Sequence, residues 1–432
     1  MPRRRSETIL SQLGLFGMRL GLGKVRQILA KLDGPHLAVP VVLVAGTNGK
    51  GSTATLLAAI CRAAGYRTGL YTSPHLETVT ERLTLDGRSI SDRRLAGYLE
   101  EAIAAADALG VEPVTSFEAL TLAAFSFFAD ARADLAILEV GLGGRLDATN
   151  ASQPMLSLIT SIGFDHEEHL GSTLSAITHE KCGILRSGKP AVAWAGEVEV
   201  ETALRAEAAA AGAELLLADS VTFSASTPAG PRPGRVYLRT PRSAYDLELH
   251  LAGRHQLRNL SVAICAAEVL SDNRFSALDT EAITAGVASC RWPGRLEWVE
   301  LDRDRWVLLD AAHNQAGIEA LVSYLHQMDE PPDLLFGALA DKTIDDTLSE
   351  LAAATRRITV SRPPGERAAE PQRWLPLLAG KSVHAEVDLE RAFDLALSGC
   401  DRTLLVCGSI YLVGAVRKLL RQRYGVPEPL VS

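Results

Sequence analysis

The stretch Val41-Val-Leu-Val-Ala-Gly-Thr-Asn-Gly-Lys-Gly-Ser-Thr53 decides the fold of the first part of the chain. Its β-branched and aliphatic start, Val41 to Val44, predicts a buried parallel strand. The turn that follows contains three glycines, Gly46, Gly49 and Gly51. Glycines let consecutive backbone N–H groups point inward, and the helix predicted from about Ser52 to Ala64 directs its positive end at the same point. The stretch therefore predicts a phosphate-binding loop between a strand and a helix.

Two kinds of side chain in this loop extend the prediction. Lys50 adds a mobile cation, and the hydroxyl of Ser52 or Thr53 is able to reach a phosphate-bound Mg²⁺. An ordinary strand-to-helix turn, the alternative, needs one or two glycines but not Gly-Lys-Gly-Ser at the mouth of the helix. We therefore predict a site for a nucleoside triphosphate. The spacing departs from the standard P-loop motif because a glycine separates Lys50 from Ser52.

Length, charge and cysteine usage narrow the class of protein. A chain of 432 residues exceeds the usual size of one hydrophobic core, so we expect two domains. The formal net charge of -8 argues against a nucleic-acid partner. The six cysteines show no metal-binding spacing and lie mostly among apolar residues, which indicates reduced, buried thiols. With no bilayer-spanning run and no export signal evident, we expect a cytoplasmic protein that does not engage membranes.

Polar side chains follow three further predicted strands. They are Ser73 after the strand 68–72, Glu139 near the end of the strand 134–140, and His166 after the strand 156–161. The carboxyl ends of parallel strands meet at one edge of a sheet, so we expect these side chains to converge there. A carboxylate after Leu-Ala-Ile-Leu is costly to bury unless a metal or cation pairs with it, which favours a Mg²⁺ role for Glu139 over a structural one.

Lys181 falls near the same edge, in a helix that begins at Thr173. A free ammonium group would repel a metal there. Two interpretations remain open: Lys181 pairs with Glu180 at the surface, or carbamylation reverses its charge so that it also holds a cation.

Two other segments have both a structural and a ligand-binding interpretation. Thr115-Ser-Phe-Glu118 opens a helix predicted over 116–131, where Ser or Thr caps the helix and Glu118 completes a capping box. A ligand contact by the same residues is equally consistent with the sequence. The glycine pair within 19–24 is explained by a turn between two short helices or by a ligand contact.

The second half of the chain has its own pattern. Short alternating segments over 220–251 predict an antiparallel appendage, and Arg291-Trp-Pro-Gly-Arg295 is the best boundary. Strands and helices alternate beyond it, which predicts a small doubly wound sheet. We therefore predict an α/β protein with a mostly parallel P-loop sheet domain over 1–290, a linker over 291–296 and a smaller Rossmann-like domain over 297–432.

Seven motifs occur in order over nearly the whole chain. They are Gly46-Thr-Asn-Gly-Lys-Gly-Ser52, Thr72-Ser-Pro-His75, Glu139-Val-Gly-Leu-Gly-Gly-Arg-Leu-Asp-Ala-Thr-Asn150, Asp165-His166, Glu180-Lys-Cys-Gly-Ile184, Trp292-Pro-Gly-Arg295 and Asp310-Ala-Ala-His-Asn314. Together they resemble the bifunctional dihydrofolate synthase/folylpolyglutamate synthase family of the ATP-dependent Mur ligase superfamily. The chain departs from the family at Cys182, where Ala is common.

The resemblance implies a role for each matching residue. ATP phosphates would lie on Gly49, Lys50, Gly51 and Ser52, with the rest of the nucleotide on Asn259, Arg295, Asp310 and His313. Magnesium would be held by Ser52, Ser73, Glu139, His166 and carbamylated Lys181, so that Lys50, Glu139, His166 and Lys181 form the catalytic group. The pterin would contact Thr115, Ser116, Phe117, Glu118, Leu146, Asp147 and Ala148, and also the region 19–22.

The implied reaction joins L-glutamate to dihydropteroate or a reduced folate through an acyl phosphate, in an enzyme expected to be a monomer. A ligase of cell-wall precursors is the nearest alternative, although those enzymes generally carry a further N-terminal domain and only about 40 residues precede this loop. A nucleotide-driven switch would share the loop but would not need the convergence of metal ligands. The chain also lacks an Asn-Lys-x-Asp motif for guanine.

Overall fold

The computed structural model describes residues 4–13, 21–227, 229–302, 304–341 and 344–428, without the side chains of 345 and 346. The largest element is an eight-stranded sheet in the order β4-β3-β2-β5-β1-β6-β7-β8. Its strands are β1 Val41–Ala45, β2 Thr68–Tyr71, β3 Leu83–Leu85, β4 Arg88–Ser89, β5 Leu135–Glu139, β6 Pro154–Ile159, β7 Pro190–Ala193 and β8 Glu214–Leu217. Strands β2, β5, β1, β6, β7 and β8 run parallel, while β3 and β4 pair antiparallel at one edge.

Helices cover both faces of this sheet. They are α1 Arg5–Gln12, α2 Gly23–Lys31, α3 Lys50–Ala63, α4 Asp92–Leu109, α5 Ser116–Asp130, α6 Glu167–Leu170, α7 Leu174–Cys182, α8 Val198–Ala211, α9 His255–Asn273 and α10 Thr280–Ser289. Alternate residues of β1 face opposite cores: Val41 and Leu43 pack toward α2, α4 and α5, whereas Val42 and Val44 pack toward α3, α9 and α10. Burial on both faces explains the continuous apolar run in the sequence.

A three-stranded antiparallel sheet forms the appendage predicted over 220–251. Its strands are β9 Thr222–Ser226, β10 Gly234–Arg239 and β11 Ala244–Leu249, with β10 in the centre. Val236, Leu238 and Leu247 bury their side chains in the core shared with α9 and α10. Their alternation with exposed residues is the period of two that the sequence showed.

The second lobe is a six-stranded sheet in the order β12-β13-β17-β14-β15-β16, parallel except for β12. Its strands are β12 Glu297–Asp302, β13 Arg305–Leu309, β14 Asp333–Phe336, β15 Ile358–Ser361, β16 Val383–Glu386 and β17 Thr403–Cys407. Its helices are α11 Gln315–Leu325, α12 Asp345–Ala353, α13 Leu389–Ser398 and α14 Ile410–Tyr424. Short 3-10 helices occur at Pro35–Leu37, Val79–Arg82, Ala148–Ala151, Ala218–Ser220, Pro371–Arg373 and Leu375–Leu378.

The predicted mixed α/β architecture is confirmed. Sequence reasoning missed β3, β4, β8, β12 and β16, which lie at or beside sheet edges and carry weak local patterns. The six cysteines are free and buried, as predicted. Across the described residues, none of the helices combines the length and apolar character needed to cross a membrane.

Candidate active site

The site lies at the carboxyl edge of four neighbouring parallel strands, β2, β5, β1 and β6. Ser73 follows β2, Glu139 ends β5, the phosphate-binding loop follows β1 and His166 lies beyond β6. In the parallel register Val44 lies opposite Glu139, so the carboxylate emerges beside the start of the loop. The structure therefore places these four positions at one edge of the sheet.

The glycines of the loop are required by close contacts. Gly46 has φ +153°, and a Cβ there would lie 2.0 Å from Thr160 Oγ1. Gly49 has φ +84°, in the left-handed region, and a Cβ there would lie 2.2 Å from Asn259 Oδ1. The loop is therefore pressed between the segment after β6 and helix α9, and a side chain at either glycine would clash with those neighbours.

Lys50 and Ser52 lie where a phosphate-binding loop needs them. Lys50 Nζ donates to the carbonyls of Gly46 at 3.0 Å and Thr47 at 3.1 Å. The Ser52 hydroxyl is buried and accepts from Gln256 Nε2 at 3.4 Å, while Gln256 Oε1 accepts from Asn259 Nδ2 at 2.8 Å. The first turn of α3 is thus linked to α9, and Asn259 lies against Gly49 of the loop.

Glu139 is a buried carboxylate among cations. Its Oε2 accepts from the backbone N–H of Ser73 at 2.9 Å and lies 3.4 Å from the Cβ position of Gly51. Burial raises the pKa of Glu139, while Lys50, the Ser73 N–H, Arg295 and Arg82 oppose that shift. Cations on several sides stabilise the ionised form, which is the form that binds a divalent metal.

Lys181 is buried, with 3% of its surface exposed, on the last turn of α7. Glu180 pairs instead with Arg145, at 2.8 Å. The interpretation of Lys181 as a surface partner of Glu180 is therefore wrong, because the two side chains point to different environments. Burial and the charge of Lys50 lower the pKa of Lys181 to about 7, against the opposing effect of Asp165. A large fraction of this amine is neutral near pH 7, the state in which a lysine reacts with CO₂.

His166 is placed differently from the other predicted ligands. It caps the short helix α6 with φ 52°, its side chain is 43% exposed, and Nε2 lies 3.8 Å from Asp165 Oδ1. Asp165 also accepts from Asn314 Nδ2 at 3.0 Å. The imidazole is thus partly exposed, and its neighbour Asp165 is the residue that contacts the second lobe.

The second lobe contributes the segment between Arg295 and Asn314. Asp310, at the end of β13, accepts from the N–H groups of Leu296 and Ala312, each at 2.9 Å. Burial raises the pKa of Asp310 and lowers that of Arg295, while the attraction between these two groups opposes both shifts. His313 Nδ1 lies 2.8 Å from the Ala311 carbonyl. Arg295 also interacts with Glu139, so the two lobes meet in one electrostatic cluster.

The comparisons with known proteins agree with this geometry. Residues 44–267 match the model of the Mur ligase middle domain, and residues 294–410 match the Mur ligase glutamate ligase domain. The chain belongs to the Mur ligase family. Within that family it is 33% identical over 415 residues to the dihydrofolate synthase/folylpolyglutamate synthase of Bacillus subtilis, covering 94% of this chain and 96% of the relative. Membership in the dihydrofolate synthase/folylpolyglutamate synthase group of ATP-dependent ligases, predicted from the motifs, is confirmed.

Solved structures of this group have the same fold. The structure of E. coli FolC in complex with DHPP and ADP matches with a TM-score of 0.86 and 32% identity, over 98% of this chain and 100% of that chain. A bifunctional folylpolyglutamate synthase/dihydrofolate synthase with Mn, AMPPNP and L-glutamate bound matches with a TM-score of 0.83 and 32% identity, over 96% of this chain and 98% of that chain.

The residues of this Mur ligase fit a nucleotide with a divalent cation. The close contacts at Gly46, Gly49 and Gly51 leave no room for a Cβ, so backbone atoms line this part of the loop, and α3 directs its N-terminus toward it. Among the described residues there is no group of three or more His, Cys, Asp and Glu side chains placed to hold a metal. One buried carboxylate, Glu139, with the hydroxyls of Ser52 and Ser73 suits Mg²⁺, which keeps much of its coordination for phosphate oxygens and water.

The two segments assigned to the pterin lie side by side. The ring of Phe117 occupies the space over Gly141, where a Cβ would lie 2.5 Å from it, and its centroid is 6.1 Å from that of Tyr71. Thr115 and Glu118 form the predicted capping box, and Glu118 pairs with Lys24 at 2.8 Å. Ser116 donates to the Leu10 carbonyl at 3.1 Å.

The loop 146–148 is fixed by Asp147. Its carboxylate accepts from the N–H groups of Gly141, Leu142 and Thr149 and from the Thr149 hydroxyl. Leu146 is half-buried beside it and Ala148 is buried. In the region 19–22, residues 19 and 20 lie outside the described part of the chain, and Leu22 caps α2.

Sequence reasoning missed four residues of the site. The charge of Arg82 acts on Glu139, and Gln256 donates to Ser52. His255 lies near Arg295, and burial and Arg258 lower its pKa to about 4. Trp292 places its ring against Gly51, where a Cβ would lie 2.8 Å away. Of these four, only Trp292 stands in a recognised motif. The others reach the site through tertiary contacts that leave no local signal.

Proposed function

We propose that this chain joins L-glutamate to dihydropteroate, to the glutamate tail of a folate, or to both, with ATP as the energy source. The observation that carries the proposal is the single cluster formed by Lys50, Glu139 and Lys181 with Arg295 of the linker. Such a cluster suits a reaction in which negative charge builds on a transferred phosphoryl group.

The proposed roles are those that the family resemblance implies. Gly49, Lys50, Gly51 and Ser52 bind the phosphates, and Asn259, Arg295, Asp310 and His313 bind the rest of the nucleotide. Ser52, Ser73, Glu139, His166 and carbamylated Lys181 hold the divalent cation. The pterin lies against residues 115–118 and 146–148. The contact of Phe117 with Gly141 supports this last assignment, because the Gly141 N–H donates to Asp147 and so links the two segments.

The reaction has two steps. An oxygen of the substrate carboxylate attacks the γ-phosphorus of ATP, and the bond between that phosphorus and the bridging β-phosphate oxygen breaks. ADP departs, and the phosphoryl group stays on the carboxylate as an acyl phosphate. The glutamate nitrogen then attacks the acyl carbon, inorganic phosphate departs, and the nitrogen loses a proton as the amide forms. Lys50 and Arg295 stabilise charge on the phosphoryl oxygens, and Glu139 fixes the edge of the sheet against Ser73. A bound Mg²⁺ supplies further neutralisation of phosphate charge.

The two lobes would act as domains of one subunit. The boundaries 1–290, 291–296 and 297–432 are supported by the sheets, since no strand of the eight-stranded sheet comes from beyond Leu217 and the six-stranded sheet begins at Glu297, within the described residues. Both lobes of the site come from one chain, which supports a monomer. Six buried, reduced thiols and the use of ATP support a cytoplasmic location.

Phosphate release from ATP tests the proposal. We expect release that requires both a pterin acceptor, dihydropteroate or a reduced folate, and L-glutamate. Separate assays with dihydropteroate and with a folate determine which of the two reactions occurs. Release without either substrate, or with a muramyl nucleotide in place of the pterin, would contradict the proposal.

A further inference from the structure

Asn314 of the second lobe makes a direct side-chain hydrogen bond to the phosphate-binding loop. It is 8% exposed and follows β13 immediately before α11. Its Nδ2 donates to Asn48 Oδ1 at 3.2 Å and to Asp165 Oδ2 at 3.0 Å. One amide group of the second lobe therefore bridges the loop after β1 and the segment after β6.

Both acceptors are held by the first lobe. The Asn48 N–H donates to Ser161 Oγ, and its carbonyl accepts from Thr160 Oγ1 at 2.6 Å. Asp165 Oδ1 accepts from the His166 N–H at 3.0 Å, and the charge of Asp165 acts on Lys181. A shift of Asn314 would therefore change the hydrogen bonding of Asn48 in the phosphate-binding loop. It would also change the hydrogen bonding of Asp165, whose charge acts on Lys181.

The lobes are also joined at a second place, away from Asn314. Arg417 of α14 pairs with Glu77 at 2.6 Å and with Glu297 at 3.0 Å, and the Arg417 and Glu77 side chains are nearly inaccessible. Gly414 lies so close to Leu76 that a Cβ would be 1.8 Å from its carbonyl oxygen. This second contact holds the lobes together independently, so loss of the Asn314 amide would alter the site without separating them.

We propose that Asn314 is a positioning residue that sets the second lobe against Asn48 and Asp165, so that the closed site excludes water from the acyl phosphate. The acyl phosphate in this inference rests on the proposed function, whereas the contacts of Asn314 are observed in the structure. Its measurable consequence is coupling, the number of amides formed for each ATP consumed. A misaligned lobe would admit water, which would convert acyl phosphate to carboxylate and phosphate without an amide.

A purely structural role for Asn314 has a distinct signature. Asn314 Oδ1 accepts from the Gly317 N–H at 2.9 Å and so caps α11. Asn314→Asp keeps that cap, since Asp and Asn are equally good at this position, but removes the amide donor and opposes Asp165 with a like charge. The substitution therefore separates the contact between lobes from helix capping.

We expect Asn314→Asp to lower kcat for amide formation roughly tenfold to a hundredfold, as for a lost hydrogen bond to a charged acceptor, and to reduce amides formed per ATP. Its Tm should stay within about 2 °C of the wild type, because the cap remains. The double variant Asn314→Asp/Asp165→Asn exchanges donor and acceptor between these two positions, and the amide oxygen at 165 still accepts from the His166 N–H. The side-chain amide of Asn48, turned over, then donates to the carboxylate at 314. It should recover about tenfold of the lost rate and most of the coupling.

The matched control is Asp388→Asn, which changes a capping residue of α13 that accepts from the Arg391 N–H. It should leave kcat and coupling unchanged. The inference would be overturned if Asn314→Asp formed as many amides per ATP as the wild type. It would also be overturned if the double variant had no higher kcat than Asn314→Asp, or if the fall in kcat came with a fall in Tm of more than about 2 °C.

Hydrogen exchange keeps the test separate from the proposed function. With ADP and Mg²⁺ bound, backbone amides over 46–53 should exchange faster in Asn314→Asp than in the wild type and should regain protection in the double variant. If the wild type shows no glutamate ligase activity but exchange follows this order, the proposed function fails and the positioning role stands. If activity is present but exchange over 46–53 is the same in all variants, the positioning role fails.

Discussion

Two buried carboxylates of the first lobe, Glu139 at the end of β5 and Asp147 in the loop that follows, have different surroundings. Asp147 accepts four hydrogen bonds from its own loop, at 2.6 to 3.0 Å. In the part of the chain that the structure describes, Glu139 accepts one, from Ser73. Glu139 instead faces Lys50, Arg295 and Arg82. A carboxylate saturated by backbone donors fixes a loop, whereas one left with few donors among cations retains the capacity to bind a metal.

Replacement of Glu139 gives the largest expected effect on activity. Glu139→Gln keeps an acceptor for the Ser73 N–H but removes the charge, so we expect a loss of roughly 10²- to 10³-fold in kcat/KM. Its Tm should be equal to or higher than that of the wild type, since a buried charge with a raised pKa is costly to the fold. Steady-state kinetics with titrated Mn²⁺ and calorimetry measure both. A fall in Tm with normal activity would place Glu139 with the structural carboxylates.

Lys181 is a further buried group of the site, and carbamylation would reverse its charge. We expect Lys181→Ala to lose most activity, and a small carboxylic acid added to the assay to restore part of it by taking the place of the carbamate. The measurement is kcat with and without acetate. Full activity of Lys181→Ala without any supplement would remove the carbamate from the mechanism.

Direct detection of the carbamate gives a pH dependence with a definite sign. The pKa of Lys181, lowered to about 7, leaves the amine neutral above that pH and protonated below it. Only the neutral amine reacts with CO₂, so a ¹³C carbamate signal should grow as pH rises through about 7 and decline as it falls. Lys181→Ala is the control and should show no such signal. A signal that is equally strong at pH 6 and pH 8 would contradict this expectation.

Asp147 should show the reverse pattern from Glu139. Asp147→Asn replaces one acceptor oxygen by an NH₂ group that faces backbone donors, which should lower the free energy of unfolding by about 2 to 3 kcal/mol. The Tm should fall by several degrees, and the KM for the pterin should rise because the loop 146–148 loosens. Glu139→Gln, measured in parallel, is the matched control. An unchanged Tm for Asp147→Asn would mean that the four hydrogen bonds are not what fixes the loop.

Glu118 gives the smallest expected effect. Glu118→Ala removes the capping box with Thr115 and the ion pair with Lys24, which should cost about 1 kcal/mol of stability. If its role is structural, kcat and the KM for the pterin should change less than twofold. A KM for the pterin that rises tenfold at constant Tm would instead show that this carboxylate binds substrate.

Local sequence patterns determined much of the fold. The strands β1, β2, β5 and β6 and the helices α3 and α5 were predicted close to their observed bounds, because buried strands and helices carry their own sequence patterns. Edge strands such as β4 and β16 were missed, since their pairing partners define them more than their residues do.

The same distinction applies to the residues of the candidate site: some can be located from local sequence patterns and others cannot. The phosphate-binding loop, Glu139 and Asp310 lie at strand ends, and strand ends can be located from sequence. Arg82, His255 and Gln256 come from positions whose place at the site depends on how distant segments pack. The same holds for the environment of Lys181, where burial and the neighbouring Lys50 decide its charge.

The sequence by itself determined the loop chemistry, the order of strands and helices, and the family. Only the tertiary structure decided that Asp147 is satisfied by its own loop and that Glu118 pairs with Lys24. It also decided that Glu180 pairs with Arg145 while Lys181 is buried, and that Asn314 bridges to Asn48 and Asp165. The physical reason is that a residue type fixes which bonds a side chain is able to make. The packing of segments far apart in the chain fixes which of those bonds are made.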